Sequence, residues 1–140
     1  MAGKVDKPQA TAELESALRS LGAEDGTFIE RWEGGAWVAD WDGSVRGHDV
    51  HLFVMGADNH PEAVRLMLDD FTFENVRTEH LGELVRKVFT GDARVTRSRF
   101  PLLPRHLVLD IRVGPETYSA SVSGNSVDDL SSWARRLAAP

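Results

Sequence analysis

Cysteine is absent from all 140 residues of this chain. A disulfide framework, a thiolate zinc site and a cysteine nucleophile are excluded together, and the absence fits a reducing compartment. Long apolar runs are missing too. The start, MAGKVDKPQATAELE, has lysines with no apolar core behind them, and no segment approaches the roughly 18 apolar residues of a membrane span. The expectation is a soluble, cytoplasmic protein with no signal peptide and no membrane partner. Lysine is scarce beside arginine, a bias that points to a GC-rich bacterial source. Positive charge is in deficit overall: a net charge of −6 and a pI near 5.3 argue against nonspecific nucleic-acid binding, which needs a basic surface to neutralise phosphates.

What is present is chain enough for one self-sufficient core. Residues 1–10 are polar, include Pro8 and show no period, so they read as a disordered lead-in to a single domain over 11–140. Leu14, Ala17, Leu18 and Leu21 then recur at helical spacing, with Thr11 as a cap and Gly22 placed to end the helix. Glu33-Gly34-Gly35 and Asp42-Gly43-Ser44 read as turns dividing the next stretch into three strands, Thr27 to Trp32, Ala36 to Trp41 and Val45 to Met55. Asn59-His60-Pro61-Glu62 reads as the start of a second helix that buries Val64, Met67, Leu68 and Phe71. Phe71-Thr72-Phe73 is either a short strand or the joint between two halves.

The second half is expected to follow the same order. A helix beginning at Thr78 buries Leu81, Leu84, Val85, Val88 and Phe89 and stops before Gly91. Strands are expected over Arg94 to Phe100, His106 to Val113 and Glu116 to Val122, with a turn at Gly114-Pro115. A closing helix capped by Ser126, with Asp129 three residues on, buries Val127, Leu130, Trp133, Ala134 and Leu137. The fold class is therefore α+β, an antiparallel sheet backed by helices. Pseudo-halves over 11–71 and 78–138 would each run αβββα. A shift of 67 residues lays Leu14, Ala17, Leu18, Arg19, Leu21 and Asp25 on Leu81, Leu84, Val85, Arg86, Val88 and Asp92. Duplication and independent use of a good sheet-covering order both produce such a repeat.

No catalytic motif stands in these residues. Gly124-Asn125-Ser126 lacks the glycine spacing of a nucleophile elbow, and no glycine-rich loop opens a helix to cradle phosphate. His48 and His51, three apart on a strand, point to opposite faces, which is the wrong geometry for a metal, and a site from His51, Asp58 and His60 needs convergence that proximity alone does not supply. No catalytic residue, metal ligand or cofactor is assigned. Trp37 and Trp41 share one face of a strand, either filling the core or forming an aromatic surface, whereas Trp32, between Arg31 and Glu33, is the candidate exposed ring.

Two functional readings follow. In the first, the chain is a noncatalytic cytosolic module that binds another protein, with Trp32, Glu62, Asp69 and Asp70 as contact residues and a basic partner favoured by the acidic helix over 62–70. An immunity-type inhibitor of a toxin, a secretion-type chaperone and a regulatory subunit are versions of it. The element order of one half is similar to that of secretion chaperones of mixed α/β build, and the second set of three strands departs from them. In the second reading, a small molecule sits in a pocket lined by Trp37, Trp41, His51 and Phe53, with Arg97 or Arg99 fixing an anion. The charged clusters also have a plain reading as solvated faces.

Overall fold

The computed structural model describes residues 9–24, 26–97, 106–123 and 127–138. Three helices and two antiparallel sheets make up an α+β fold. Helix α1 (Gln9–Ser20) is followed by β1 (Ile29–Glu33), β2 (Ala36–Val45), β3 (His48–Ala57), β4 (His60–Leu68) and β5 (Phe71–Arg77). A 3₁₀ turn over Thr78–His80 leads into α2 (Leu81–Phe89), then come β6 (Arg94–Arg97), β7 (His106–Val113) and β8 (Glu116–Ser123). A second 3₁₀ turn over Val127–Asp129 precedes α3 (Ser132–Ala138). The first five strands form one meander in chain order, and β6, β7 and β8 form the other.

Helix α1 has the expected stripe: Leu14, Ala17, Leu18 and Leu21 are buried. Its end is a Schellman arrangement, with Ala23 N–H donating to the Leu18 carbonyl and Gly22 N–H to that of Arg19, and Gly22 supplies the required left-handed φ of 73°. Thr11 is not the cap. It lies inside the helix, fully buried, and its hydroxyl has no partner among the described residues. Helix α2 buries Leu81, Leu84, Val85, Val88 and Phe89 as its spacing predicts. The two helices pack against each other, and both stripes enter the one hydrophobic core. Each fully buried leucine contributes on the order of 1.5–3 kcal/mol by leaving water.

The segment after Asn59 is a correction. No helix forms there: His60–Leu68 is β4, and Asp58-Asn59 is the two-residue turn that joins it to β3, with Ala57 opposite His60. Val64, Leu66 and Leu68 alternate inward, and this period of two wins because their neighbours on β3 and β5 bury the same face. The acidic helix over 62–70 therefore does not exist, and Asp69-Asp70 is the turn between β4 and β5. Phe71-Thr72-Phe73 opens β5. The first half holds one helix and five strands, so αβββα does not describe it.

The turn expected at Asp42-Gly43-Ser44 is a second correction. Strand β2 runs straight through it to Val45, and the hairpin turns at Arg46-Gly47, both with positive φ (51° and 83°). Gly43 stays in the strand because the Trp41 indole lies across it, and Ser44 exchanges backbone hydrogen bonds with Glu24 at 2.8 and 2.9 Å. In the second half, β7 matches the expected bounds, and β6 begins at Arg94 as expected. The proposed cap Ser126, Arg99 and Phe100 lie outside the described residues. Leu130, Trp133, Ala134 and Leu137 are buried as anticipated, but Val127 is only half-buried, because it lies in the 3₁₀ turn and α3 itself starts only at Ser132.

The two sheets meet where β5 lies beside β8, and α3 packs on β3 and β6. At that junction the Tyr118 hydroxyl accepts the Arg77 backbone N–H at 3.2 Å and lies 2.8 Å from Nδ1 of His80. Burial, above all, pushes the phenol's pKa above its ordinary value of 10.0, with Glu116 adding to the rise and the Arg77 hydrogen bond opposing it. The folded state thus keeps a proton that the unfolded chain releases. This contribution is whole below pH 10 and is lost as pH climbs from there through the folded pKa. Because this is the only tyrosine, phenolate absorbance of the folded protein should titrate with a midpoint above 10.0, and a midpoint at or below it contradicts the assignment. Tyr118→Phe should cost about 1 kcal/mol at neutral pH by leaving the Arg77 N–H without its partner, measured by urea unfolding.

Candidate functional site

The five-stranded sheet has two unlike faces. Strand register puts Trp37, Ala39, Trp41 and Val45 of β2 on the same face as Val50, Leu52 and Val54 of β3, and as Val64, Leu66 and Leu68 of β4. All of them are buried. The outer face carries Val38, Asp40 and Asp42 of β2, Asp49, His51, Phe53 and Met55 of β3, and Arg65 and Met67 of β4, none fully buried. Alternation along each strand produces both faces from one run of residues.

This separation decides the pocket expected from the sequence. Trp37 and Trp41 are core residues, 6% and 4% exposed, whereas His51 and Phe53 project from the opposite side of the sheet. The sheet itself stands between the two pairs, so they do not line one cavity. Arg97 sits on β6 of the other sheet, opposite Leu107, and Arg99 is outside the described residues. The indoles have structural neighbours: Trp41 packs on Phe28 at a centroid distance of 6.4 Å, and Trp37 lies over Gly56.

The residues expected to touch a partner are dispersed. Trp32 is exposed (37%) on β1 and leans on Trp37 with ring centroids 6.4 Å apart. Glu62 is exposed near the start of β4, paired with Nδ1 of His60 at 2.8 Å. Asp70 is exposed at the β4–β5 turn. Asp69 has a structural role: one carboxylate oxygen accepts the His51 backbone N–H at 3.2 Å and the other the Trp133 indole N–H at 2.5 Å. His48 and His51 do face opposite ways, His48 Nδ1 lying 2.8 Å from the Ser132 hydroxyl and His51 Nε2 the same distance from Asp40 Oδ1.

What the strand register assembles, and the linear sequence hides, is an apolar row on the outer face. Val38 stands directly opposite Met55, and Phe53 opposite Met67. Ile29 of β1 continues the row beside Asp40, and it is the most exposed large apolar residue described (67%). Among the described residues no helix covers this face. The rim is mixed and net negative: Arg31 beside Val38 and Arg65 beside Met55 reach Asp40 at 3.8 Å and Glu74 at 2.8 Å, while Glu33, Asp42 and Asp49 add negative charge. At the end of β2 and β3 the face opens into a hollow of about 650 Å³ whose walls include Asp42, Asp49, His51, Asp69, Ser131 and Ser132. Among the described residues no cluster of three or more metal-ligating side chains forms, and no helix is long and apolar enough to cross a membrane. Neither a protein-family model nor any curated protein or solved structure matches this chain significantly.

Proposed function

We propose that this chain is a noncatalytic protein-binding module that receives a basic partner on the outer face of its five-stranded sheet. The observation that carries the reading is the cluster of Val38, Phe53, Met55 and Met67, with Ile29 beyond Asp40, on a face that no helix covers among the described residues. Contiguous apolar surface rimmed by polar groups is the usual mark of a docking site. The acids around it favour a partner of opposite sign, because complementary charge speeds encounter and discriminates against acidic competitors. An inhibitor that occupies the cleft of a basic enzyme has this character, and a cysteine-free chain suits the reducing cytosol in which such a role is played.

The experiment is a tagged pull-down from native cells at moderate salt, run in parallel with the wild type and with Val38→Thr/Met55→Gln. These two positions face each other across β2 and β3; threonine suits a strand, and glutamine keeps the unbranched length of methionine. The wild type should retain one protein in near-equal amount, and the variant, with an unchanged melting temperature, about a tenth of it or less. Equal retention by both baits places the partner elsewhere, and an empty wild-type bait removes the reading.

A further inference from the structure

Strand β1 is an edge. Among the described residues it pairs only with β2, and Ile29, Arg31, Trp32 and Glu33 are all exposed. Glu33 and Ala36 flank the two-residue turn Gly34-Gly35, so they form the hydrogen-bonded pair that closes the hairpin. Hydrogen bonding alternates from there. Arg31 and Ile29 direct their backbone groups at β2, and Trp32 and Glu30 direct theirs outward from the sheet. An open row of backbone donors and acceptors is a template for another strand.

The side chains restrict which strand fits. When an antiparallel copy of β1 is laid against the edge with Trp32 opposite Trp32, Arg31 of each copy falls opposite Glu33 of the other. Arg31-Trp32-Glu33 is thus self-complementary in charge about a two-fold axis through its central residue, the requirement of an isologous contact. In this register the outward backbone groups of the two tryptophans meet as a hydrogen-bonded pair. The Arg31–Glu33 positions become the closer, non-hydrogen-bonded type in which side chains interact most strongly. The two indoles meet on the inner face, each already resting on its own Trp37, and extend that aromatic layer across the junction. Centring the pair on Glu30 would set two glutamates against each other instead.

We propose that this protein associates with a second copy of itself by antiparallel pairing of β1 with β1, joining two five-stranded sheets edge to edge. The contact is short, at the small end of specific interfaces, so the dimer should form reversibly in the micromolar range or above. Its backbone contacts use the sheet's edge, and although Arg31 and Glu33 also border the outer face, self-association is read on the chain alone, without a partner, so it stands or falls separately from the binding role proposed above.

Sedimentation velocity over a concentration series tests it with three variants. The wild type should move from monomer to dimer as concentration rises, with the dimer weakened by added salt. Glu33→Arg sets arginine against Arg31 of the other copy and should raise the dimer dissociation constant about tenfold or more, and Arg31→Glu/Glu33→Arg should restore it to within about threefold. Glu30→Pro removes the outward N–H that faces the Gly34 turn of the other copy, a change that an edge strand tolerates in the monomer, and should weaken the dimer while leaving the melting curve unchanged. A wild type that stays monomeric up to about 1 mM overturns the proposal, and so does a dimer indifferent to Glu33→Arg or one that the double exchange fails to restore.

Discussion

Trp133→Ala should remove about 3–5 kcal/mol from the free energy of unfolding, a large part of what a domain of this size has in total. Trp133 is 3% exposed, its ring centroid lies 5.6 Å from that of Phe89 and 6.0 Å from that of Phe71, and it thereby joins α3, α2 and β5. The indole N–H is buried with these rings and depends on Asp69 for its partner. Asp69 holds a φ of 51°, a conformation that short polar side chains tolerate and alanine resists. Asp69→Ala should therefore cost about 2–3 kcal/mol, because it strains the turn and leaves the N–H groups of Trp133 and His51 without their acceptor. Trp133→Phe keeps most of the packing and removes the donor. In urea unfolding, the double variant Trp133→Phe/Asp69→Ala should lose less than the sum of the two singles by about 1 kcal/mol or more. Strict additivity would show that the indole–carboxylate contact contributes nothing.

The second large effect is expected at a glycine that looks like a turn residue. A methyl group on Gly43 would lie 2.5 Å from Cζ2 of Trp41 and 2.7 Å from the Glu24 carbonyl oxygen. Neither neighbour can yield cheaply: the indole is buried beside Phe28, and the Glu24 carbonyl accepts the Ser44 N–H. Gly43→Ala should cost about 3 kcal/mol, the upper end of what overpacking by one methyl usually imposes. A methyl on Gly56 would have the Trp37 ring as its nearest neighbour, also at 2.5 Å, and Gly56→Ala should cost less because that ring borders the exposed Trp32. Gly35, with nothing within 4 Å of a added methyl and no positive φ, should accept alanine within about 0.5 kcal/mol. Urea unfolding of the three variants should rank them in that order. A harmless Gly43→Ala would mean that Trp41 does not lie across the strand as described.

The same two places explain what the sequence conveyed and what it did not. Helices α1 and α2 were legible because their stripes persist over more than two turns and end at glycines, and β7 because four apolar residues alternate with polar ones. The stretch from Val64 to Phe71 satisfies both periods at once: Val64, Met67, Leu68 and Phe71 fit a helix, and Val64, Leu66 and Leu68 fit a strand. Only pairing with β3 and β5 separates them, and pairing is a tertiary fact. Gly43 misleads in the complementary way, since a glycine needed for close approach looks the same in sequence as one needed for a turn. For the candidate site, the exposure of Trp32 and the shared face of Trp37 and Trp41 followed from local pattern. The row from Ile29 to Met67 did not, because it runs across four strands and exists only once their register is fixed.

The methionines offer the most direct measurement of the proposed binding face. Apart from Met1, the chain has only Met55 and Met67, and both project from the outer face of the sheet. With methyl-labelled methionine, the NMR spectrum of the wild type should be recorded before and after adding the protein retained in the pull-down. Docking on the outer face predicts that the Met55 and Met67 methyl signals both shift or broaden at one equivalent of partner. A complex that forms while both signals stay where they were would contradict the account.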